Sequence, residues 1–176
     1  MLKRILLIAT ILLFALSSCG KKDEVKKDDT KKEVTESVLK DQGYSNITTN
    51  YDNDCGAFTI KKSEPDKYIY ELKIDYKAMN ESVKQSFAES KEKIGKYPVR
   101  ISMGDDSLKT EVEIAMPNEI WVRVSNATDK DKIHQNTELL KKVIPEFDLP
   151  GLEKITGDKV TGVELAKYLP KIEKYF

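Results

Sequence analysis

His134 is the one histidine in the chain, so a histidine-based triad or multi-histidine metal site within a single chain has to be built around it. Asp131 and Glu138, three before and four after, share a helical face with it. Two carboxylates and an imidazole can bind a divalent ion, but the polar face of a surface helix has the same composition, and that plainer reading is adopted. Asp52-Asn53-Asp54-Cys55-Gly56 places acids at alternate positions before a glycine, as calcium loops do. Such a loop needs a further oxygen ligand where the chain has Gly56 and a closing glutamate where it has Ser63. Asp and Asn are also what a tight turn prefers, so a turn is expected. Cys55 has no basic neighbour in sequence to activate it and reads as a structural thiol. Glu111 and Glu113 sit two apart on one strand face, and glycosidases use paired carboxylates, but such pairs are commonplace in a chain that is 34% charged. No glycine-rich phosphate loop, nucleophile elbow or metalloprotease helix is present. The residues therefore point to a protein without catalytic residues, metal or cofactor.

A binding surface is the remaining chemistry. In the strand 119–125 the aliphatics Ile120, Val122 and Val124 take the core side, which puts Trp121 and Arg123 on the opposite face. Trp121 is the sole tryptophan, and Arg100 and Arg123 are the only arginines beyond Arg4. Tryptophan and arginine are over-represented among residues that carry interface energy. Trp121, Arg123 and Arg100 are accordingly the candidate partner-binding residues. The competing reading covers Trp121 with the C-terminal helices and pairs Arg123 with Glu111 or Glu113 across strands.

At the other end of the chain, Lys3 and Arg4 precede an unbroken apolar run from Ile5 to Leu16, and Leu16-Ser17-Ser18-Cys19 follows directly. A spanning helix needs about 20 apolar residues, so this run is an export signal rather than an anchor. The arrangement resembles the lipobox of bacterial lipoproteins, and the resemblance covers residues 1–19 only. It implies that the Cys19 thiol receives a diacylglyceryl group, that the chain is cut before Cys19, and that acyl chains of the palmitate kind hold the mature protein on a membrane. Two such chains give stable anchoring where one gives only transient contact. The implied location is the cell membrane or outer membrane, facing away from the cytoplasm.

Residues 1–18 are thus read as signal peptide and residues 19–33 as the lipidated cysteine with a charged tether. The repeated pairs of lysines and acids from 20 to 33 have almost nothing to bury and are expected to stay disordered. The whole chain carries 30 basic and 30 acidic residues, and loss of Lys3 and Arg4 tips the mature part slightly acidic. Nucleic acid is excluded as a partner on that balance, because phosphate binding needs a concentrated basic surface. With Cys19 lipidated, Cys55 is the only thiol left, so packing rather than a disulfide must stabilise the domain.

Residues 34–176 form the mature domain, with candidate halves 34–78 and 79–126 and a helical segment 127–176. In the first half Val34 and Val38 mark a short helix closed by Gly43, followed by three alternating stretches: Ile47 to Tyr51, Phe58 to Ile60, and Tyr68, Tyr70, Leu72, Ile74 and Tyr76. In the second, Asn80 caps a helix carrying Val83, Phe87 and Ile94 and closed by Gly95. Strands follow at Val99 to Met103, Leu108 to Met116 and Ile120 to Val124, separated by turns at Gly104-Asp105-Asp106 and Pro117-Asn118. The tail carries a helix begun near Thr128 and ended by Pro145, a connection around Pro150-Gly151, and a capping box at Thr161 and Glu164. The fold expected is α+β, an antiparallel sheet packed against helices, with the repeated helix-strand-strand-strand pattern open to two readings, tandem duplication or coincidence. Function is expected to be a non-catalytic binding module for an envelope protein or glycan. The alternatives are an assembly component of an envelope complex and an enzyme. An exposed pocket around His134 would mark the enzyme, a flat exposed face around Trp121 the binding module, and a free strand edge with neither the assembly component.

Overall fold

In the computed structural model the described residues are 37–45, 47–52, 56–65, 67–103, 109–127, 130–172 and 174–176. Leu16 to Cys19, the tether, Val34, Cys55, the turn at 104–106, Leu108 and Thr128 lie outside them. Among the described residues no helix is long and apolar enough to cross a membrane.

Alternation of apolar and polar side chains builds seven strands: β1 (Ile47–Asp52), β2 (Ala57–Glu64), β3 (Lys67–Tyr76), β4 (Lys93–Ile94), β5 (Tyr97–Met103), β6 (Lys109–Ala115) and β7 (Ile120–Ala127). They form one antiparallel sheet in the order β1-β2-β3-β7-β6-β5-β4. Five helices accompany it: α1 (37–41), α2 (Glu81–Ala88), α3 (Ile133–Val143), α4 (Leu149–Glu153) and α5 (Gly162–Ala166). The chain is an α+β domain. One sheet face carries Ile60, Leu72, Ile74, Ile114, Val122 and Val124, all with no exposed surface, and packs beneath α3 and the C-terminal helices. Each such side chain contributes about 1.5–3 kcal/mol relative to leaving it in water.

The strand order is two meanders meeting at the β3–β7 pair, which is what a two-fold through that pair would give. The helices break the symmetry. α1 buries Leu39 in the main core, whereas α2 buries Phe87 on the opposite face of the sheet. The two glycines differ as well: Gly43 follows α1 at φ +93°, but Gly95 turns the β4–β5 hairpin at φ +59°. α2 ends at Ala88 with Glu89 as its cap, and Ile94 belongs to β4 rather than to the helix. Pro150-Gly151 is likewise not a plain connection, because Asp148 accepts from the Gly151 amide at 2.9 Å and opens the one-turn α4. The capping box at Thr161 and Glu164 is formed as expected.

β3 departs from strict alternation. Lys62 pairs with Tyr70 and Ser63 with Tyr68, so Ile69 is an extra residue, a bulge that moves everything before it to the other face. Ile69 therefore packs on the core, and Tyr68, expected beside Tyr70, joins the polar face with its hydroxyl 2.7 Å from Ser125 Oγ.

α5 lies so close to β1 and β2 that a side chain on Gly162 has no room. A Cβ there would stand 2.5 Å from the Ala57 carbonyl oxygen and 2.7 Å from Tyr51 Cβ. Gly162→Ala is expected to force α5 off the sheet and cost about 1–3 kcal/mol, read as a lowered midpoint in thermal or urea unfolding.

Candidate functional site

Cross-strand register assembles the polar face in rows. Arg123 lies between Lys73 and Glu113, and Glu113 lies beside Arg100. One row along, Trp121 lies between Asp75 and Ala115. The three candidate partner-binding residues therefore do share a face, and the structure brings them into contact with one another.

Glu113 is the centre of that contact. Its side chain is completely buried, and a buried carboxylate is tolerated only where charge and lone pairs are matched. Arg100 donates to it twice, from Nε to Oε1 at 3.0 Å and from an Nη to Oε2 at 2.8 Å. Ser102 Oγ donates at 3.1 Å, and Trp121 Nε1 donates to Oε2 at 2.9 Å. The Arg100 guanidinium reaches back to Ser86 Oγ on α2 at 3.3 Å. Arg123 stacks on the Trp121 ring at 3.9 Å, Arg100 lies 5.7 Å from it, and Arg123 is paired with buried Asp75, which also meets Lys73 at 3.4 Å.

Trp121 is only 9% exposed, so it is not the open docking residue that its strand position suggested. The cover is α2, not the C-terminal helices: Met79 and Phe87 pack on the ring, with Val83 and Ala115 beside them. Lys84 secures the helix to the β6–β7 turn by a 2.9 Å pair with Glu119. The arginine partners also differ from the competing expectation, since Arg123 takes Asp75 and Arg100 takes Glu113. Here the constellation is a scaffold of two ion pairs joined through Trp121 rather than a site waiting for a ligand.

Other candidates are placed as follows. His134 is exposed on α3, and Glu138 beside it is engaged by Lys141 at 2.9 Å. A recess of about 430 Å³ along α3 is lined by Lys132, Gln135, Asn136, Glu138, Leu139 and Lys142, with His134 outside it. Glu111 is bridged by Lys109, which also reaches Glu71, at 3.7 and 3.6 Å. Burial, and secondarily the Glu113 charge, push the Glu111 carboxyl above its ordinary range. Burial also pushes the Tyr68 phenol up.

Sequence reasoning missed the free edge of β5. β4 covers only its beginning, pairing Lys93 with Pro98 and Ile94 with Tyr97. Just beyond, the Val99 amide donates to the Glu92 carbonyl at 3.0 Å and the Val99 carbonyl accepts from Ser90 Oγ at 2.5 Å. Val99 thus points its backbone groups away from β6, and by strand alternation Ile101 and Met103 do the same. Among the described residues Ile101 and Met103 are the large hydrophobics recorded as exposed, at 39% and 54%. Both belong to the apolar row of the expected strand from Val99 to Met103. The signal available was the unequal length of β4 and β5, invisible while residues 93–94 were read as helix.

Two outcomes follow from the charges. Glu113→Ala strands Arg100 and the Trp121 indole, so stability is expected to fall by about 3–5 kcal/mol, with a shifted emission maximum of the sole tryptophan. Glu111 has a raised pKa in the folded state, so its contribution to stability falls as pH rises from the unfolded carboxylate pKa through the folded one. Glu111→Gln is expected to remove that decline in unfolding midpoints measured across the acid range. Compared with known proteins, the chain matches no family model, no curated protein and no solved structure.

Proposed function

We propose that this protein is a lipoprotein, held on the extracytoplasmic side of a membrane by acyl chains on Cys19, whose domain is a non-catalytic binding module for a protein of the envelope. The contact is made through the β5 edge, which gives the module the character of an assembly component. One observation carries the reading: Ile101 and Met103 combine exposed apolar side chains with outward backbone groups on the same short stretch of edge. A bare edge is a template for another strand, and strand addition takes affinity from main-chain hydrogen bonds and specificity from alternate side chains. The anchor rests on Leu16-Ser17-Ser18-Cys19 and the apolar run before it.

A second reading, a glycan partner, is favoured by the exposed Thr48, Asn50 and Lys61 on the polar face of β1 and β2, with half-exposed Lys73 beside them. A rigid sheet presents such groups at fixed spacing, which lowers the ordering cost of binding.

Crosslinking in intact cells, followed by recovery of this protein, separates the two. The parent is compared with an Ile101→Lys/Met103→Lys variant and with Lys61→Glu. Loss of the crosslinked protein in the edge variant alone is the expected outcome, whereas an unchanged partner set in that variant overturns the edge reading. In the same cells Cys19→Ala is expected to abolish incorporation of a labelled fatty acid and to release the protein from the membrane fraction.

A further inference from the structure

We infer that the occupant of the β5 edge is β5 of a second copy of this chain, joined antiparallel about a two-fold axis at Ser102. The inference rests on the proposed use of that edge and names its partner. Three features of the edge select this register over its neighbours.

First, among the described residues the hydrogen-bonding groups fit one way. Val99 is already engaged with Glu92 and Ser90, so the outward groups with no bond to another described residue are those of Ile101 and Met103. A two-fold at Ile101 would set Met103 against the occupied Val99 of the other copy. A two-fold at Ser102 sets Ile101 against Met103 and Met103 against Ile101, which uses the outward amides and carbonyls of the described edge in both copies. Second, the side chains complete one another. Ile101 and Met103 lie on one face of the strand, two residues apart, so in this register the exposed isoleucine of each copy covers the exposed methionine of the other. A strand with one such pair flanking a central residue is its own complement, as an isologous contact requires. Third, the central residue is small and uncharged. Ser102 meets Ser102 on the polar face, and the charges beside it among the described residues are already paired, Arg100 with Glu113 and Glu111 with Lys109.

A contact of this length buries well under the ~1,200 Å² typical of stable complexes, so in dilute solution it is weak. Confinement supplies what the area does not. Two copies leashed to one membrane meet at effective concentrations on the order of millimolar, and linked binding then becomes favourable without new contacts.

The test uses the full-length protein in native membranes, in a Cys55→Ser background. In the inferred register Ser102 forms a non-hydrogen-bonded pair with its counterpart at a Cα separation of about 4.5 Å, within the range a disulfide spans. Ile101 faces its own counterpart only diagonally, at about 7–8 Å, beyond that range. Mild oxidation is therefore expected to link Ser102→Cys into a dimer and to leave Ile101→Cys monomeric. The reverse pattern overturns the register. The variant also loses the Ser102 bond to Glu113, so the unsubstituted protein is examined in parallel by native mass spectrometry from lipid nanodiscs, where two lipidated copies are expected and one copy overturns the inference. A photoreactive residue at 102 distinguishes the failures. An adduct with a different protein overturns self-pairing and leaves the binding module standing, whereas no adduct at all overturns both.

Discussion

The carboxylate of Glu113 is the constraint on which this face of the molecule depends. Without exposed surface, it holds its place only because Arg100, Ser102 and Trp121 converge on it from β5 and β7. Two of those donors are fixed in turn. Arg100 is tied to α2 through Ser86, and Trp121 is roofed by Met79 and Phe87. A helix is therefore drawn onto the polar side of a sheet whose main core lies on the other side. That arrangement turns three residues with the composition of a docking site into internal struts. Replacing such a cluster by apolar side chains of the same volume is commonly neutral or stabilising, so its value lies in fixing one arrangement of β5, β6, β7 and α2.

With the struts in place, what the sheet offers to a partner shifts from its face to its edge. β4 is too short to finish covering β5, and the open length begins where Ser90 and Glu92 cease to reach it. Natural sheets blunt such edges with charges, prolines or bulges. Here Pro98 stands at the covered end, and the open end carries isoleucine and methionine. Under the anchoring we propose, an unblunted edge is a means of lateral association, because a tether limits where the strand can go and how often it meets another.

Much of this was legible in the residues. Alternation located β2, β3, β5, β6 and β7, and Asn80, Thr161 and Glu164 marked the starts of two helices by their capping chemistry. Burial of Trp121 was legible only as an alternative, because the period of a strand says which side a residue takes and not what lies over that side. The bulge at Ile69 left no trace, since Tyr68, Tyr70 and Leu72 read as one unbroken alternation and only the partner strand reveals the added residue. The fate of Ile101 and Met103 was hidden for the same reason. Apolar residues at period two are core residues where a helix covers them, and α3 covers β6 and β7 without extending over the end of β5.

Hydrogen exchange of individual amides at the β5 edge tests the central claim most directly. The full-length protein is compared in membranes and in dilute detergent. If the edge pairs in membranes, Ile101 and Met103, whose amides point outward, exchange more slowly there, while Ser102, whose amide faces β6, exchanges alike in both. Equal exchange of Ile101 and Met103 in the two states would contradict the account, because the proposed contact requires the edge to be paired in membranes.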